Sequence, residues 1–325
     1  MCLRVLITPH PNPIPKEREN GEILQIKDNF EIKNLTTYKI GGKVKKLYLP
    51  ETLEELTSLL RELDEYVVLG SCSDVLFSSN GYSGNVIITT EMKKFEIRGT
   101  KIYAECGVKD PMLAKSVSEV SLSGLEFLIG LPGTIGGAVY MNAGAHGQCV
   151  ADTLVSCCLF DCETKEVVYK NKEDMQFSYR HSLLHDKRFI LLYAEFELKR
   201  APLEDIKALM ERNLTFRKTV QPSLANPNAG SVFKNPENDS AGRLLDKAGV
   251  KEFEAPNVKI WEKHANFIVN KGDATSEDVL EMMVKMHNAV KDTYTIELRP
   301  EIIFIGDKTE KEEELCNILY QKKQK

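Results

Sequence analysis

Residues Leu128–Gly147, LIGLPGTIGGAVYMNAGAHG, place six glycines in twenty positions without a run of charge. A glycine in a regular element costs about 0.5–1 kcal/mol relative to alanine, so this density needs a physical reason. Closely spaced glycines let successive backbone N–H groups turn toward one concave point that an anion can approach. A buried turn packed tightly against a neighbouring strand is the other reading of the same composition. The segment lacks the Gly-Lys-Ser/Thr ending of a P-loop and the G-x-G-x-x-G spacing of a Rossmann dinucleotide site.

Three further stretches carry a cation, a hydroxyl and a carboxyl: Tyr179-Arg180 in FSYRHS, Ser231 in NAGSVFKNP and Glu301 in ELRPEIIFIG. Taken singly, each has a structural explanation. Tyr179-Arg180 reads as a surface strand pair, Gly230-Ser231 as a turn, and Glu301 as an exposed charge beside a proline.

Composition narrows the classes of function. A chain of 325 residues suggests roughly two domains. Hydrophobic residues at 42% and charged residues at 28% describe an ordinary soluble globular protein. A net charge of −5 argues against a dedicated nucleic-acid binder. No apolar run reaches the ~18 residues that insertion into a bilayer requires. The opening MCLRVLITPHPNPIPKEREN has too short an apolar burst for a signal peptide and no small-residue cleavage site, so the expected location is the cytoplasm. Several of the eight cysteines sit in apolar company, as at Cys157-Cys158, and none forms a Cys-x-x-Cys pair. They read as reduced structural residues, and no metal site is expected.

The elements that must position these groups alternate between short strands and helices, an α+β pattern. Residues 1–20 read as a loose arm. Leu53, Leu56, Leu59 and Leu60 share one helical face. Tyr66–Leu69 and Asn85–Thr90 read as strands, and Pro111–Ser123 as a helix. Lys187–Leu198 is a β-rich run that closes a first domain of residues 21–200, with subdomains of about 21–90 and 91–200. A second domain, 201–306, begins with a helix at Leu203–Arg217 and the loop QPSLANPNAG. It continues with helices at Ser240–Ala248 and Ser276–Val290, Ser276 being the expected N-cap, and strands at Asn266–Asn270 and Thr293–Ile305. The charged tail, 307–325, reads as a frayed helix or as disordered.

The order GLEFLIGLPGTIGGAVYMNAGAHG, FSYRHS, NAGSVFKNP, AGRLLDKAG, KHANFIVN and LRPEIIFIG, preceded by Thr37-Tyr-Lys-Ile-Gly-Gly42, closely resembles the UDP-N-acetylenolpyruvoylglucosamine reductases. These flavin enzymes act in the second committed step of bacterial peptidoglycan synthesis. The resemblance runs from about Asn34 to Gly306. The interval of 51 positions from Arg180 to Ser231 resembles that of the shorter variety of the family, which lacks an inserted tyrosine loop over the substrate. It implies the FAD-binding fold of the p-cresol methylhydroxylase type, in which two α+β subdomains clamp a non-covalent FAD beside an α+β substrate-binding domain, with NADPH as reductant.

By that resemblance, Gly133, Thr134, Gly136 and Gly137, with Asn142, Ala143 and Gly144, lie near the flavin's diphosphate and ring. Gly70, Ser71, Cys72, Ser73 and Asp74 form the other diphosphate loop. Neither loop has a lysine, so backbone donors must meet the anion. The family pattern there is Gly-x-Gly-Ser-Asn, and Cys72 and Asp74 depart from it. Cys72 must avoid or tolerate a backbone conformation that suits glycine, and Asp74 places a carboxylate where an amide would donate to a phosphate.

The implied chemistry is hydride delivery to C3 of an enolpyruvyl ether and protonation at C2. Arg180 is expected to stabilise the carboxylate and enolate, Ser231 to donate the proton, and Glu301 to support the same anion as a protonated acid. The apolar Ile302–Ile305 suggests burial that raises the Glu301 pKa. Tyr179, Arg217, Lys218, Lys234, Asn235 and His264 are candidates for the substrate and its UDP diphosphate.

Two rival readings share parts of the pattern. An oxidase of the same fold would attach its flavin covalently, for which His146 and Cys149 lie near the glycine stretch. A catalytically silent flavin or nucleotide-binding module would act as a partner protein. Neither accounts for Arg180, Ser231 and Glu301 together, and no sequence feature names a protein partner.

Overall fold

The computed structural model describes residues 24–186, 188–223 and 225–320. The N-terminal arm and the last five residues of the tail lie outside the described residues.

The first part is built from β1 (Gln25–Glu31), β2 (Lys43–Leu49), α1 (Leu53–Glu62), β3 (Tyr66–Leu69), β4 (Val75–Phe77) and β5 (Tyr82–Ile88). Its sheet has the order β1-β2-β5-β3, with β5 parallel to both β2 and β3. β2 and β3 therefore run the same way on either side of β5, and α1 supplies the crossover between them. Thr52 caps that helix by accepting from the Glu55 N–H at 3.2 Å. Leu56, Leu59 and Leu60 are buried, as the helical spacing predicts.

The second part contains β6 (Phe95–Arg98), β7 (Lys101–Glu105), α2 (Asp110–Glu119), β8 (Leu122–Ser123), α3 (Ile135–Tyr140), β9 (Gly144–Ala145), β10 (Gln148–Cys149), β11 (Leu154–Asp161), β12 (Glu166–Asn171), β13 (Phe189–Glu197) and β14 (Lys199–Arg200). Five of these strands form an antiparallel sheet in the order β12-β11-β13-β7-β6. Cys157 and Cys158 are buried in β11, where they pack as small apolar side chains. The glycine-rich stretch folds as α3 followed by the tight β9–β10 hairpin.

The third part holds α4 (Leu203–Val220), α5 (Ala241–Lys247), β15 (Val258–Ile260), β16 (Ile268–Asn270), α6 (Ser276–Tyr294), β17 (Ile303–Ile305) and α7 (Glu310–Tyr320). Its own core gathers Leu244, Ile268, Val279, Met283, Met286 and Leu298. Strand β17 leaves this part to pair in parallel with β4, Val75 facing Ile303.

Three local expectations are corrected here. The N-cap of α6 is Thr275, which forms a reciprocal capping box with Asp278. Ser276 instead turns away to exchange hydrogen bonds with Ser79. The expected strand at Thr293–Ile305 is reduced to Ile303–Ile305, because α6 continues to Tyr294 and ends on Thr295 at φ +57°. Burial of Val290 in the helix's last turns outweighs the β-propensity of Thr293-Tyr-Thr-Ile. Finally, residues 310–320 of the tail are a packed helix. Buried Glu312 accepts from Ser78 Oγ, Ser276 Oγ and the Thr309 N–H, so α7 links the first and third parts. Among the described residues, no helix is long and apolar enough to cross a membrane.

Candidate active site

Arg180 lies in the turn of a hairpin closed by reciprocal backbone hydrogen bonds between Ser178 and His181. Its φ of +54° is a left-handed conformation that a non-glycine residue adopts only when its surroundings hold it there. The side chain donates from Nε to Glu301 Oε1 at 2.6 Å and from Nη1 to the Gly144 carbonyl at 3.4 Å. Burial works against the guanidinium charge, but Glu301, Tyr179 and Asp74 together outweigh it and raise its pKa. For Glu301, burial raises the carboxyl above its ordinary value and the cations Arg180 and Lys234 oppose that rise. The expected direction for Glu301 is therefore present, together with an ion-pair partner that sequence reasoning did not assign to it.

Ser231 reaches the same place through a short ladder. The Glu301 N–H donates to the Val232 carbonyl at 2.8 Å, and the Lys234 N–H donates to the Arg299 carbonyl at 2.9 Å. Ser231 thus precedes, by one residue, the backbone partner of Glu301. Gly230 before it has φ +78° and open space where a Cβ would stand, so the backbone there is accessible to a ligand. Lys234 Nζ donates to the Arg180 carbonyl at 3.3 Å. The three residues expected to carry the chemistry come from separate parts of the chain and converge.

Asn266 was not singled out from the sequence. It is buried, and its side chain accepts from the Phe233 N–H at 2.9 Å and donates to the Phe233 carbonyl at 2.8 Å. Its own carbonyl accepts from the Val232 N–H. This bracket fixes the extended segment that follows Ser231. The available signal was an asparagine inside the apolar run Ala265–Val269, since a buried amide must find partners.

The proposed substrate contacts divide. Tyr179 Oη accepts from the Asn235 N–H at 3.2 Å, so the hairpin and the loop after Lys234 meet. Asn235 Oδ1 is engaged by the Ala241 N–H at the start of α5. His264 stands edge-on to Phe267 and accepts from the Asn266 N–H, and burial lowers its pKa. Arg217 is partly buried against Gly130, where a Cβ would come within 2.4 Å of its Cδ. Lys218 is exposed at the end of α4.

Among the glycines of the two loops, the reasons differ. At Gly70 a Cβ would stand 2.1 Å from Thr134 Oγ1, so the two loops abut. At Gly133 it would meet Asp110 Oδ2, at Gly136 the Cys106 carbonyl, and at Gly144 the β10 backbone. Gly137 alone of these faces open space. The packing reading therefore holds at several positions and the access reading at Gly137. Asn142, at φ +42°, donates to the Ser178 carbonyl and accepts from the Ala151 N–H, tying this turn to the Arg180 hairpin. Thr134 Oγ1 and Asp110 Oδ1 are buried polar atoms that find no partner in the protein.

In the other loop, Cys72 adopts φ +50°: it tolerates the conformation that suits glycine. Its thiol is buried and pushed up to about 12. The Asp74 carbonyl accepts from the Ile303 N–H at 3.0 Å, which brings the residue beside the strand that follows Glu301.

Residues 44–167 match the family described as FAD binding domain, and residues 221–305 match the C-terminal domain of UDP-N-acetylenolpyruvoylglucosamine reductase. The reductase of that name from Caldicellulosiruptor bescii is 42% identical over 294 residues, covering 89% of this chain and 93% of the relative. The one from Bacillus subtilis is 38% identical over 298 residues, covering 90% and 96%. The crystal structure of the Thermus caldophilus enzyme superposes with a TM-score of 0.74 at 33% identity, covering 87% of this chain and 98% of the other.

Proposed function

The chain belongs to the UDP-N-acetylenolpyruvoylglucosamine reductase family, and we propose that Arg180, Ser231 and Glu301 are the groups with which it performs the reaction. It is an FAD-dependent oxidoreductase of peptidoglycan synthesis, with the p-cresol methylhydroxylase type of FAD-binding fold. It reduces the enolpyruvyl ether of UDP-N-acetylglucosamine to UDP-N-acetylmuramate at the expense of NADPH.

The two loops fit the cofactor. Open space at Gly137, the abutting Gly70 and Thr134, and two unpartnered buried oxygens leave room and hydrogen-bonding capacity for a bound group. Residues 70–74 and 133–137 contain no lysine or arginine, so any diphosphate there must be met by hydroxyls and by backbone N–H groups other than those of Ile135 and Gly136, which bind the Val108 and Cys106 carbonyls. When bound, FAD supplies two-electron chemistry, carrying a hydride from NADPH to C3 of the enolpyruvyl ether.

Negative charge then develops on C2 and its carboxylate. Arg180 meets that charge with a guanidinium already held by Glu301 and Gly144, so little reorganisation is needed. Glu301, whose burial favours the neutral form, supports the same anion as a protonated acid. Ser231 donates the proton to C2 from a loop that Gly230 leaves open. Lys234, Asn235, Tyr179, His264, Arg217 and Lys218 are assigned to the nucleotide-sugar in the domain of residues 201–306, with residues 21–200 holding FAD. A nucleotide-sugar substrate and NADPH suit a cytoplasmic enzyme, and nothing in the charge distribution calls for a nucleic acid.

The observation that carries this reading is the 2.6 Å contact between Arg180 and Glu301, joined by the backbone ladder to Ser231. The purified protein should be yellow with about one FAD per chain, released by acid denaturation. It should bleach anaerobically with NADPH and recover colour with the enolpyruvyl substrate. A protein that bleaches but is not reoxidised by that substrate would sink the assignment.

A further inference from the structure

The tail helix α7 takes no part in the reaction as assigned above, yet one of its side chains reaches the backbone beside Glu301. Tyr320 Oη donates to the Ile302 carbonyl at 2.9 Å. That carbonyl and the Ile303 N–H belong to one trans peptide group and point in opposite directions. The N–H end donates to the Asp74 carbonyl at 3.0 Å, so this peptide plane is held at both ends, by the loop before β4 and by α7. The plane that precedes Glu301 is held as well, since the Glu301 N–H donates to the Val232 carbonyl at 2.8 Å. Two fixed planes therefore flank Glu301 and Ile302.

α7 is anchored well enough to serve as a fixed point. Glu312 is buried and accepts from Ser78 Oγ and Ser276 Oγ, and the Ser78 N–H donates to the Ile305 carbonyl at 2.8 Å. The serine that anchors the helix thus also holds the end of β17. Cys316 and Leu319 are buried in the core of the third part. Tyr320 differs from them: the residue is 36% exposed, and its hydroxyl is what reaches the Ile302 carbonyl. Asn317 and Tyr320 line, with Glu301, Lys234 and His185, a cavity of about 410 Å³, so α7 borders the space that the reacting groups border.

We infer that Tyr320 is a positioning residue of the reductive site: its O–H, acting through the Ile302 carbonyl, holds the backbone from which Glu301 meets Arg180. This role rests on the assignment of Glu301 to the reaction. The 2.6 Å contact of Glu301 with Arg180 Nε can be no better placed than the backbone that carries the carboxyl. A displacement of about 1 Å at a reacting group can cost on the order of 10²-fold in rate. Phenylalanine at position 320 keeps the ring and leaves the Glu312 anchor in place, but it has no proton to donate, and one end of the peptide plane is released.

The two half-reactions of Tyr320→Phe, followed by stopped flow, test this. Anaerobic bleaching by NADPH should run at close to the native rate, and reoxidation by the enolpyruvyl substrate should slow by roughly 10- to 100-fold. A cycle with Glu301→Ala separates positioning from general loosening. A residue that acts through Glu301 loses most of its effect once that carboxyl is gone, so Tyr320→Phe should add little to the loss in Glu301→Ala. Native reoxidation in Tyr320→Phe while Glu301→Ala is slow overturns the proposal. So do equal slowing of both half-reactions and losses that multiply in the double variant. Loss of fold or of FAD in Tyr320→Phe overturns it too, because the hydroxyl would then be a structural contact. Native reoxidation in Glu301→Ala would instead reject the assignment of Glu301 beneath it.

Discussion

Arg180 and Glu301 are 121 residues apart in the chain, and Arg180 Nε stands 2.6 Å from Glu301 Oε1. The guanidinium also reaches the Gly144 carbonyl, so one planar side chain spans the glycine-rich turn and the segment that leads into β17. Lysine is a point charge and cannot hold both. Arg180→Lys should therefore slow reoxidation of the reduced enzyme by the enolpyruvyl substrate by roughly 10²–10³-fold, the loss typical of removing one preorganised donor. Stopped-flow reoxidation measures it, and a loss of less than about tenfold would deny Arg180 this role.

The glycines separate two explanations of the opening stretch. Gly136 lies 3.0 Å, measured from an added Cβ, from the Cys106 carbonyl, whereas Gly137 faces open space. Gly136→Val should lower thermal stability in the apoprotein as well as the holoenzyme. Gly137→Val should leave apoprotein stability near native and weaken FAD binding, because its branches fill the space a ligand would enter. Titration of both apoproteins with FAD checks this, and normal FAD affinity in Gly137→Val would return the stretch to a packing role.

What was legible in the sequence is what is local. The α1 face, the glycine turns and the short motifs around Arg180, Ser231 and Glu301 each carry their signal within a few residues. Their convergence does not, because the pairing of Val232–Lys234 with Arg299–Glu301 is set by tertiary packing and by the Asn266 bracket. The same holds for α7, where charged residues alone suggested fraying. The buried partners Ser78 and Ser276 that order Glu312 are distant in sequence. The same is true of the Asp74 carbonyl, which meets the Ile303 N–H only because β4 and β17 pair across the fold.

His185 supplies a pH-dependent test of stability. It stacks on Tyr140 at 4.1 Å and on His181 at 4.8 Å. Burial, with His181 and Lys234, lowers its pKa to about 4 from an ordinary 6.5. A depressed folded-state pKa means that protonation is resisted by the native protein. Its contribution is fully present above about 6.5 and is lost as pH falls toward about 4. Thermal unfolding between these limits should become less pH-dependent in His185→Gln than in the native protein. Parallel curves would place the acid sensitivity elsewhere.

The most direct measurement separates the two half-reactions in Ser231→Ala. Serine to alanine removes one oxygen and little volume, so folding and flavin content should survive. A proton donor to C2 takes no part in reduction of the flavin by NADPH, so anaerobic bleaching should run at close to the native rate. Reoxidation by the enolpyruvyl substrate should slow by roughly 10²–10⁴-fold, the loss typical of a positioned general acid. Ser231→Cys, which keeps a transferable proton, should recover part of that loss. Unchanged reoxidation in Ser231→Ala, or equal slowing of both half-reactions, would contradict the account.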